Sequence, residues 1–407
     1  MQARSERTIA PSRTTCGKVL VQTAVLVMCL ALAACANRPG VGSLSVSTAS
    51  APGATTHDIL VVTTRERDTQ PGTLFNGERK DGINYAKATI SVPPSPPHIP
   101  GQVQWGSIIP GDPNTDFVAR SASYIPDRAA MLKDLNKRLM KLPKGERTVF
   151  LFIHGYNTKF VEGLFRFTQI IHDSKTTNVP VYFSWASRGQ LTDYVYDLNS
   201  AMVARTALAS TVKDLVDSKA EKIVILAHSM GTYLLMETAR QLTPAAAKKF
   251  QSKVQQVILA APDIDIDVFK EQLRHMGKPK NPFVIMVSKD DRALKASRKI
   301  AGDKERVGAY SNDLELAELG AIVVDLTEVE SADGAHHSKF AQLAQFGPEL
   351  SRTLTQSSLT QNVPNQGSRL SNAGQDLGSV VSSTAQAAVS LPIAIITAPI
   401  SLATGGR

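Results

Sequence analysis

Lys222-Ile223-Val224-Ile225-Leu226-Ala227-His228-Ser229-Met230-Gly231-Thr232-Tyr233-Leu234-Leu235-Met236-Glu237-Thr238-Ala239-Arg240 is the stretch that decides the architecture. Residues 222–227 form an apolar, β-branched run of the kind buried on both faces of a sheet. From Thr232 the composition changes to good helix formers. Between the two, Ser229 has a small residue two positions before it, Ala227, and another two positions after, Gly231. A serine at a tight strand-to-helix turn, with small neighbours that let strand and helix close around it, is the pattern of a nucleophile elbow. Alanine stands where the first small residue is usually glycine, which adds a methyl where the turn is tightest. Five residues of this type are a loose pattern, and the strand-turn-helix setting is what makes it specific.

Working outward, further buried-type strands are expected at 148–153, 180–185, 255–260, 282–288 and 321–326, alternating with helical stretches such as 160–173 and 197–217. This alternation predicts an α/β fold with a mostly parallel central sheet and helices on both faces. Crossovers are then right-handed, and functional loops collect at the carboxyl ends of the strands. Upstream, 58–64 and 88–92 read as strands of an N-terminal β extension, separated by Pro- and Gly-rich turns at 93–101 and 110–113. No internal repeat is present.

A serine hydroxyl is a weak nucleophile at neutral pH and needs a base, normally a histidine oriented by a carboxylate. With the elbow at 229, the acid and then the histidine should follow it in the chain. His275 falls within a helix candidate, away from the loops where a site would form. His336 and His337 lie in the loop after strand 321–326, where the base is required, and spacing does not separate them. The acid should follow strand 282–288, where Asp290 and Asp291 stand, Asp290 being the candidate cap of the next helix. Asp263, Asp265 and Asp267 after strand 255–260 read as helix capping and solvated charge. Two backbone donors for an oxyanion are expected at Met230 and at Tyr156, in the His154-Gly155-Tyr156-Asn157 loop after strand 148–153. His154 is expected to orient that loop rather than to act as base.

From about 58 to 346 the chain resembles a family of largely uncharacterised bacterial α/β-hydrolase proteins, known mostly as lipoproteins or esterases. The resemblance is carried by Val61-Val62-Thr63-Thr64-Arg65, Ser91-Val92-Pro93-Pro94, Ile153 to Asn157, Phe183-Ser184-Trp185-Ala186-Ser187-Arg188-Gly189, Tyr194 to Asp197, Ala227 to Gly231, Ala261 to Asp265 and His337-Ser338. It implies the α/β-hydrolase fold with a Ser229–Asp291–His337 triad. The family's histidine precedes a serine, as His337 does, and its acid lies in an Asp-x-Ala-Leu pattern, as Asp291 does. Ala186 stands where proline is expected, and Lys339 where an aromatic is usual. The expected activity is that of a serine hydrolase on an ester or related acyl bond. Transfer to an acceptor other than water, or a non-catalytic envelope scaffold on the same fold, are the alternatives.

The N-terminus reads as an address: a basic segment ending at Lys18, an apolar run over 19–31, then Leu32-Ala33-Ala34-Cys35. The last four resemble a bacterial lipobox, which implies a signal peptide over 1–34 and lipidation of Cys35. Ala36 fits lipoproteins passed to the outer membrane, facing the periplasm. The other two of the three cysteines, Cys16 and Cys29, would leave with the signal, so neither a disulfide nor a cysteine nucleophile is expected. Residues 35–57 are expected as a flexible tether, 58–352 as the hydrolase domain, and 353–407 as a low-complexity and apolar tail. The apolar run 385–400, broken by Pro392 and Pro399, reads either as a docked extended segment or as a membrane or partner contact. The formal charge of +9 falls to +6 once Arg4, Arg7, Arg13, Lys18 and Glu6 are removed, and no basic cluster interleaved with aromatics remains, so nucleic-acid binding is not expected. At 43% hydrophobic and 20% charged, the chain can bury a large core. No metal-ligand spacing or nucleotide loop is visible, so no cofactor is expected.

Overall fold

The computed structural model describes residues 38–276, 279–346 and 394–396. The chain divides into two compact units, Met1–Gly40 and Val41–Arg407, and the architecture below is that of the second. Cys35 lies outside the described residues. Among those described, no helix is long and apolar enough to cross a membrane.

The strands are β1 (Thr55–Arg67), β2 (Phe75–Val92), β3 (Val118–Ile125), β4 (Thr148–Ile153), β5 (Val179–Ser184), β6 (Lys222–His228), β7 (Val254–Ala260), β8 (Val284–Val287), β9 (Ile322–Asp325) and β10 (Ala394–Ile396). The helices are α1 (Arg128–Leu139), α2 (Phe160–Asp173), α3 (Tyr194–Val203), α4 (Arg205–Asp217), α5 (Met230–Arg240), α6 (Pro244–Lys253), α7 (Ile266–Met276), α8 (Arg292–Ile300), α9 (Asp313–Glu318) and α10 (Lys339–Gln342). One sheet carries the strands in the order β10-β9-β8-β7-β6-β4-β5-β1-β2-β3. From β1 across to β9 the neighbours run parallel, while β2 and β3 extend the sheet antiparallel beyond β1. This is the expected α/β-hydrolase architecture with its N-terminal β extension.

Period-two alternation within buried strands sorts the core into two layers. Leu60, Leu151, Ile153, Ile225, Ile285 and Val323 face one side, where Leu135 of α1, Leu208 and Val212 of α4 and Leu234 of α5 cover them. Val61, Phe150, Phe152, Tyr182, Met286 and Val324 face the other, against Phe160, Leu164 and Phe167 of α2 and Phe340 of α10. Both faces of the central strands are therefore apolar, which is why β4 is buried at every residue.

Three expectations change. The helical stretch 197–217 is two helices, α3 and α4, meeting at Ala204. Part of the tether is packed: Leu44 is buried, its N–H donates to Gly72 O (2.7 Å), Ser47 N–H donates to Ala119 O (2.9 Å), and the first strand begins at Thr55. Local polarity hid this, because the segment is held largely by backbone hydrogen bonds. Residues 394–396 of the tail form β10, antiparallel to β9 with Ile395 opposite Val324. A short edge strand between Pro392 and Pro399 suits a residue type that cannot donate to an interior ladder.

Candidate active site

Ser229 sits between β6 and α5 at φ 52°, ψ −125°, a backbone conformation that costs an L residue about 1–3 kcal/mol. Surrounding hydrogen bonds hold it there: Ser229 N–H donates to Ala260 O (3.0 Å), and Ser229 O accepts from Thr232 N–H (2.9 Å) and Asp263 N–H (3.3 Å). The glycines are required by close approach. A Cβ on Gly231 would lie 2.3 Å from His154 O, and one on Gly155 would lie 2.7 Å from Ser229 Cβ. Ala227 is fully buried between its neighbours Ile153 and Leu259, so its methyl fits. Ser229 Oγ makes no hydrogen bond to another described residue.

Asp291 caps α8, accepting Leu294 N–H at 2.9 Å, and its other oxygen lies 2.6 Å from His337 Nδ1. The cap and the imidazole partner are thus the same residue, not divided between Asp290 and Asp291 as expected. Asp290 instead meets His336, with Oδ2 2.6 Å from Nδ1. Two Asp–His pairs therefore run side by side, and burial tells them apart: the Asp291 side chain is 0% exposed and that of Asp290 35%. The position of His337 also ties it to the elbow, because its ring lies 4.6 Å from that of His228 and its carbonyl 3.3 Å from His228 Nε2. With Nδ1 against Asp291, the second nitrogen of His337 is left to act. Burial would lower the His337 pKa, but the Asp291 carboxylate outweighs it and raises it above 6.5. His228 behaves oppositely: burial and the neighbouring His337 hold it well below that value, and hence neutral.

Lys339, which departs from the family pattern, is buried and donates to both Asp290 oxygens (2.7 and 2.8 Å) and to the carbonyls of Leu326 and Thr327 (3.1 and 2.8 Å). Burial would raise the Asp290 pKa, yet the hydrogen bonds from Lys339, Ser288 and His336 drive it far below the usual carboxylate range. Asp333 anchors the same loop by accepting the N–H groups of His337 (3.1 Å) and Ser338 (2.7 Å).

The two expected donors stand on different loops, Tyr156 after β4 and Met230 after β6. Neither Tyr156 N–H nor Met230 N–H donates to another described residue. His154 stacks on Trp185 with ring centroids 4.9 Å apart, and Trp185 Nε1 donates to His154 O at 2.9 Å. Burial and the Arg65 charge lower the His154 pKa to about 3, so it is a neutral orienting group, in keeping with its expected part.

Sequence reasoning did not identify what holds the loop after β4. Arg65 is buried and donates to Ser184 Oγ (2.8 Å), Asn76 O (3.0 Å), Ser187 O (2.6 Å) and Thr158 O (2.7 Å). Asp197 accepts from Asn157 N–H (3.1 Å), Arg188 N–H (3.0 Å) and Ser187 Oγ–H (2.5 Å). Four of the spaced motifs in the resemblance, around 65, 154–157, 184–188 and 197, thus converge on one cradle. Asp263 also differs from its expected solvated state. It is buried beside Arg306 (3.3 Å) and accepts from Ser297 Oγ–H (2.5 Å), while Asp265 does cap α7 through Asp267 N–H (2.8 Å). His275 lies in the last turn of α7, where the helix was expected.

The sheet order and the elbow after its central strand define the α/β-hydrolase class. Residues 127–354 match the family described as "Alpha/beta hydrolase of unknown function (DUF900)", and the chain belongs to that family. It is also similar to an uncharacterised protein, alr1448, of Nostoc sp. (strain PCC 7120 / SAG 25.82 / UTEX 2576), at 28% identity over 137 residues, covering 27% of this chain and 35% of that protein. Among solved structures, LpqC, a poly(3-hydroxybutyrate) depolymerase from Bordetella parapertussis, aligns at TM-score 0.30 and 16% identity, over 50% of this chain and 82% of that one. An esterase from Rhizomucor miehei aligns at TM-score 0.29 and 14% identity, over 81% and 94%. A Trichoderma reesei cutinase aligns at 0.27 and 12%, over 56% and 93%.

Proposed function

We propose that the protein is a serine hydrolase that cleaves an ester or related acyl bond through an acyl-enzyme on Ser229. The observations that carry this reading are a strained serine elbow, a buried Asp291 paired with a part-buried His337 at its flank, and Tyr156 and Met230 N–H groups that donate to no other described residue. In the first step Ser229 Oγ attacks the acyl carbon while its proton passes to the second nitrogen of His337. The Asp291 carboxylate steadies the imidazolium. The carbonyl oxygen, now anionic, accepts from the Tyr156 and Met230 N–H groups, each such donor contributing about 2.7–4 kcal/mol in comparable sites. His337 then protonates the leaving group, and water, deprotonated by the same nitrogen, releases the acyl chain and restores Ser229. Because Ser229 Oγ makes no hydrogen bond to another described residue, substrate must draw serine and imidazole together, as is common for unliganded sites.

Labelling the purified protein with a fluorophosphonate probe tests the reading. Native protein and His336→Gln should label, whereas Ser229→Ala and His337→Gln should not; an unlabelled native protein favours a non-catalytic scaffold. Attachment to the bacterial envelope through lipidated Cys35 belongs to the same proposal. Incorporation of labelled fatty acid that persists in Cys35→Ser would count against it.

A further inference from the structure

Three of the eight histidines gather with one aspartate at the end of the sheet opposite the elbow. α2 leaves the carboxyl end of β4 and descends 14 residues, about 21 Å at 1.5 Å per residue, so its last turn lies where the parallel strands begin. That turn carries His172 and Asp173. His57 approaches from the start of β1, and His98 from the loop between β2 and β3.

One ligand-type atom from each of His98, His172 and Asp173 lies within 4.8 Å of the others. His98 Nε2 is 2.7 Å from Asp173 Oδ1, and His57 Nε2 is 3.1 Å from His172 Nδ1. The His172 ring stands edge-on to both His57 and His98, at 88° in each case. The outward-facing atoms are already committed in the sense a metal site requires. His98 Nδ1 meets Gln104 Oε1 at 2.8 Å, which fixes the tautomer with Nε2 turned inward. Asp173 Oδ2 accepts Gly101 N–H (2.7 Å) and Gln169 Nε2–H (2.6 Å), leaving Oδ1 on the inside. Outer partners of this kind, on histidine and carboxylate alike, are what orient the ligands of zinc centres.

We propose that His98, His172 and Asp173 form a three-ligand site for a divalent transition metal of zinc type, with His57 beside it against His172. Imidazole and carboxylate are donors that zinc accepts in tetrahedral sites. Bonds of about 2.0–2.1 Å in a tetrahedron place ligand atoms roughly 3.3 Å apart, so the His98–Asp173 pair at 2.7 Å opens slightly and His172, within 4.8 Å of both, closes onto the ion. The ion would pin the 94–117 loop to the end of α2, with the start of β1 held alongside through the His57–His172 contact. Gln169 Nε2, which touches Asp173, also donates to Ala341 O (3.1 Å) in α10, the helix that follows His337. The site therefore acts on the stability of the frame, and not on the acyl chemistry.

The test is titration of EDTA-stripped protein with zinc chloride by calorimetry, followed by thermal unfolding and by the visible spectrum of the cobalt(II) form. Stoichiometric uptake at micromolar metal, a higher melting temperature and a tetrahedral cobalt spectrum are expected. His172→Gln, at a half-buried position, should abolish uptake, and Gln104→Ala should weaken it about 10–100-fold. His337→Gln and His275→Gln should bind as the native protein does. If His172→Gln does not fold, His98→Gln takes its place and should weaken binding at least tenfold. The proposal is overturned if native protein takes up no zinc, if the cluster variants bind undiminished, or if uptake is lost in His337→Gln instead.

Discussion

Gly155→Ala probes whether the loop after β4 and the serine elbow together enclose the reacting carbonyl. A methyl at 155 would stand 2.7 Å from Ser229 Cβ, 2.9 Å from His228 Nδ1 and 3.1 Å from His228 O, where ordinary contact begins at 3.4 Å. The shortfall against Ser229 is 0.7 Å, and the obstacles are a held backbone, a Cβ and a half-buried ring packed against His337 and Phe340. The loop must therefore retreat by about that distance, carrying Tyr156 N–H with it. Misplacement on the 1 Å scale costs roughly 100-fold in rate, so a fall of about 10–100-fold is expected in kcat with little change in KM. Overpacking of this kind costs about 1–3 kcal/mol, a drop of several degrees at roughly 2–4 °C per kcal/mol for a domain approaching this size. Labelling rate with a fluorophosphonate, turnover of a short-chain ester and thermal unfolding measure the three effects. Gly334→Ala serves as control, since a methyl there meets nothing within 4 Å. Labelling of Gly155→Ala at the native rate would refute the shared enclosure.

The raised pKa of His337 sets a pH window. Activity needs the neutral imidazole, so kcat/KM should rise with pH through a midpoint above 6.5, and Asp291→Asn should lower that midpoint along with the rate. Stability moves the other way: a histidine whose folded pKa is raised stabilises fully below its unfolded value and loses that contribution as pH climbs through the folded one. Denaturant melts across this range, compared with His337→Gln, should show the loss in the native protein alone. Arg65→Lys keeps a charge but forfeits at least two of its hydrogen bonds, and should cost about 3 kcal/mol by urea unfolding; a neutral result would remove Arg65 from the cradle. Lys339→Met should destabilise by about 1–3 kcal/mol while leaving fluorophosphonate labelling intact, because its partner Asp290 belongs to the outer Asp–His pair.

Much of the frame is legible from local pattern. Strand 148–153 and helix 160–173 have the predicted bounds, because β4 is buried on both faces and α2 carries a continuous apolar stripe. The break at Ala204 was not legible, since no proline or glycine marks it. The packing of Leu44 and the pairing of β10 were equally hidden, because both depend on backbone partners far along the chain. Asp197 and Arg65 could have been flagged as charged residues within motif segments, but nothing local says that such a charge is buried.

By itself, the sequence determined a mostly parallel sheet with helices between its strands, and a serine at a strand-to-helix turn between small residues. Those features follow from hydrophobic period and residue size, which are local properties. Tertiary structure alone decided which carboxylate meets which histidine. His336 has φ 58°, and the two adjacent rings reach different carboxylates 46 residues away. It also decided that His57, His98, His172 and Asp173 meet, since side chains from β1, a loop and α2 become neighbours only when the chain has closed over the sheet.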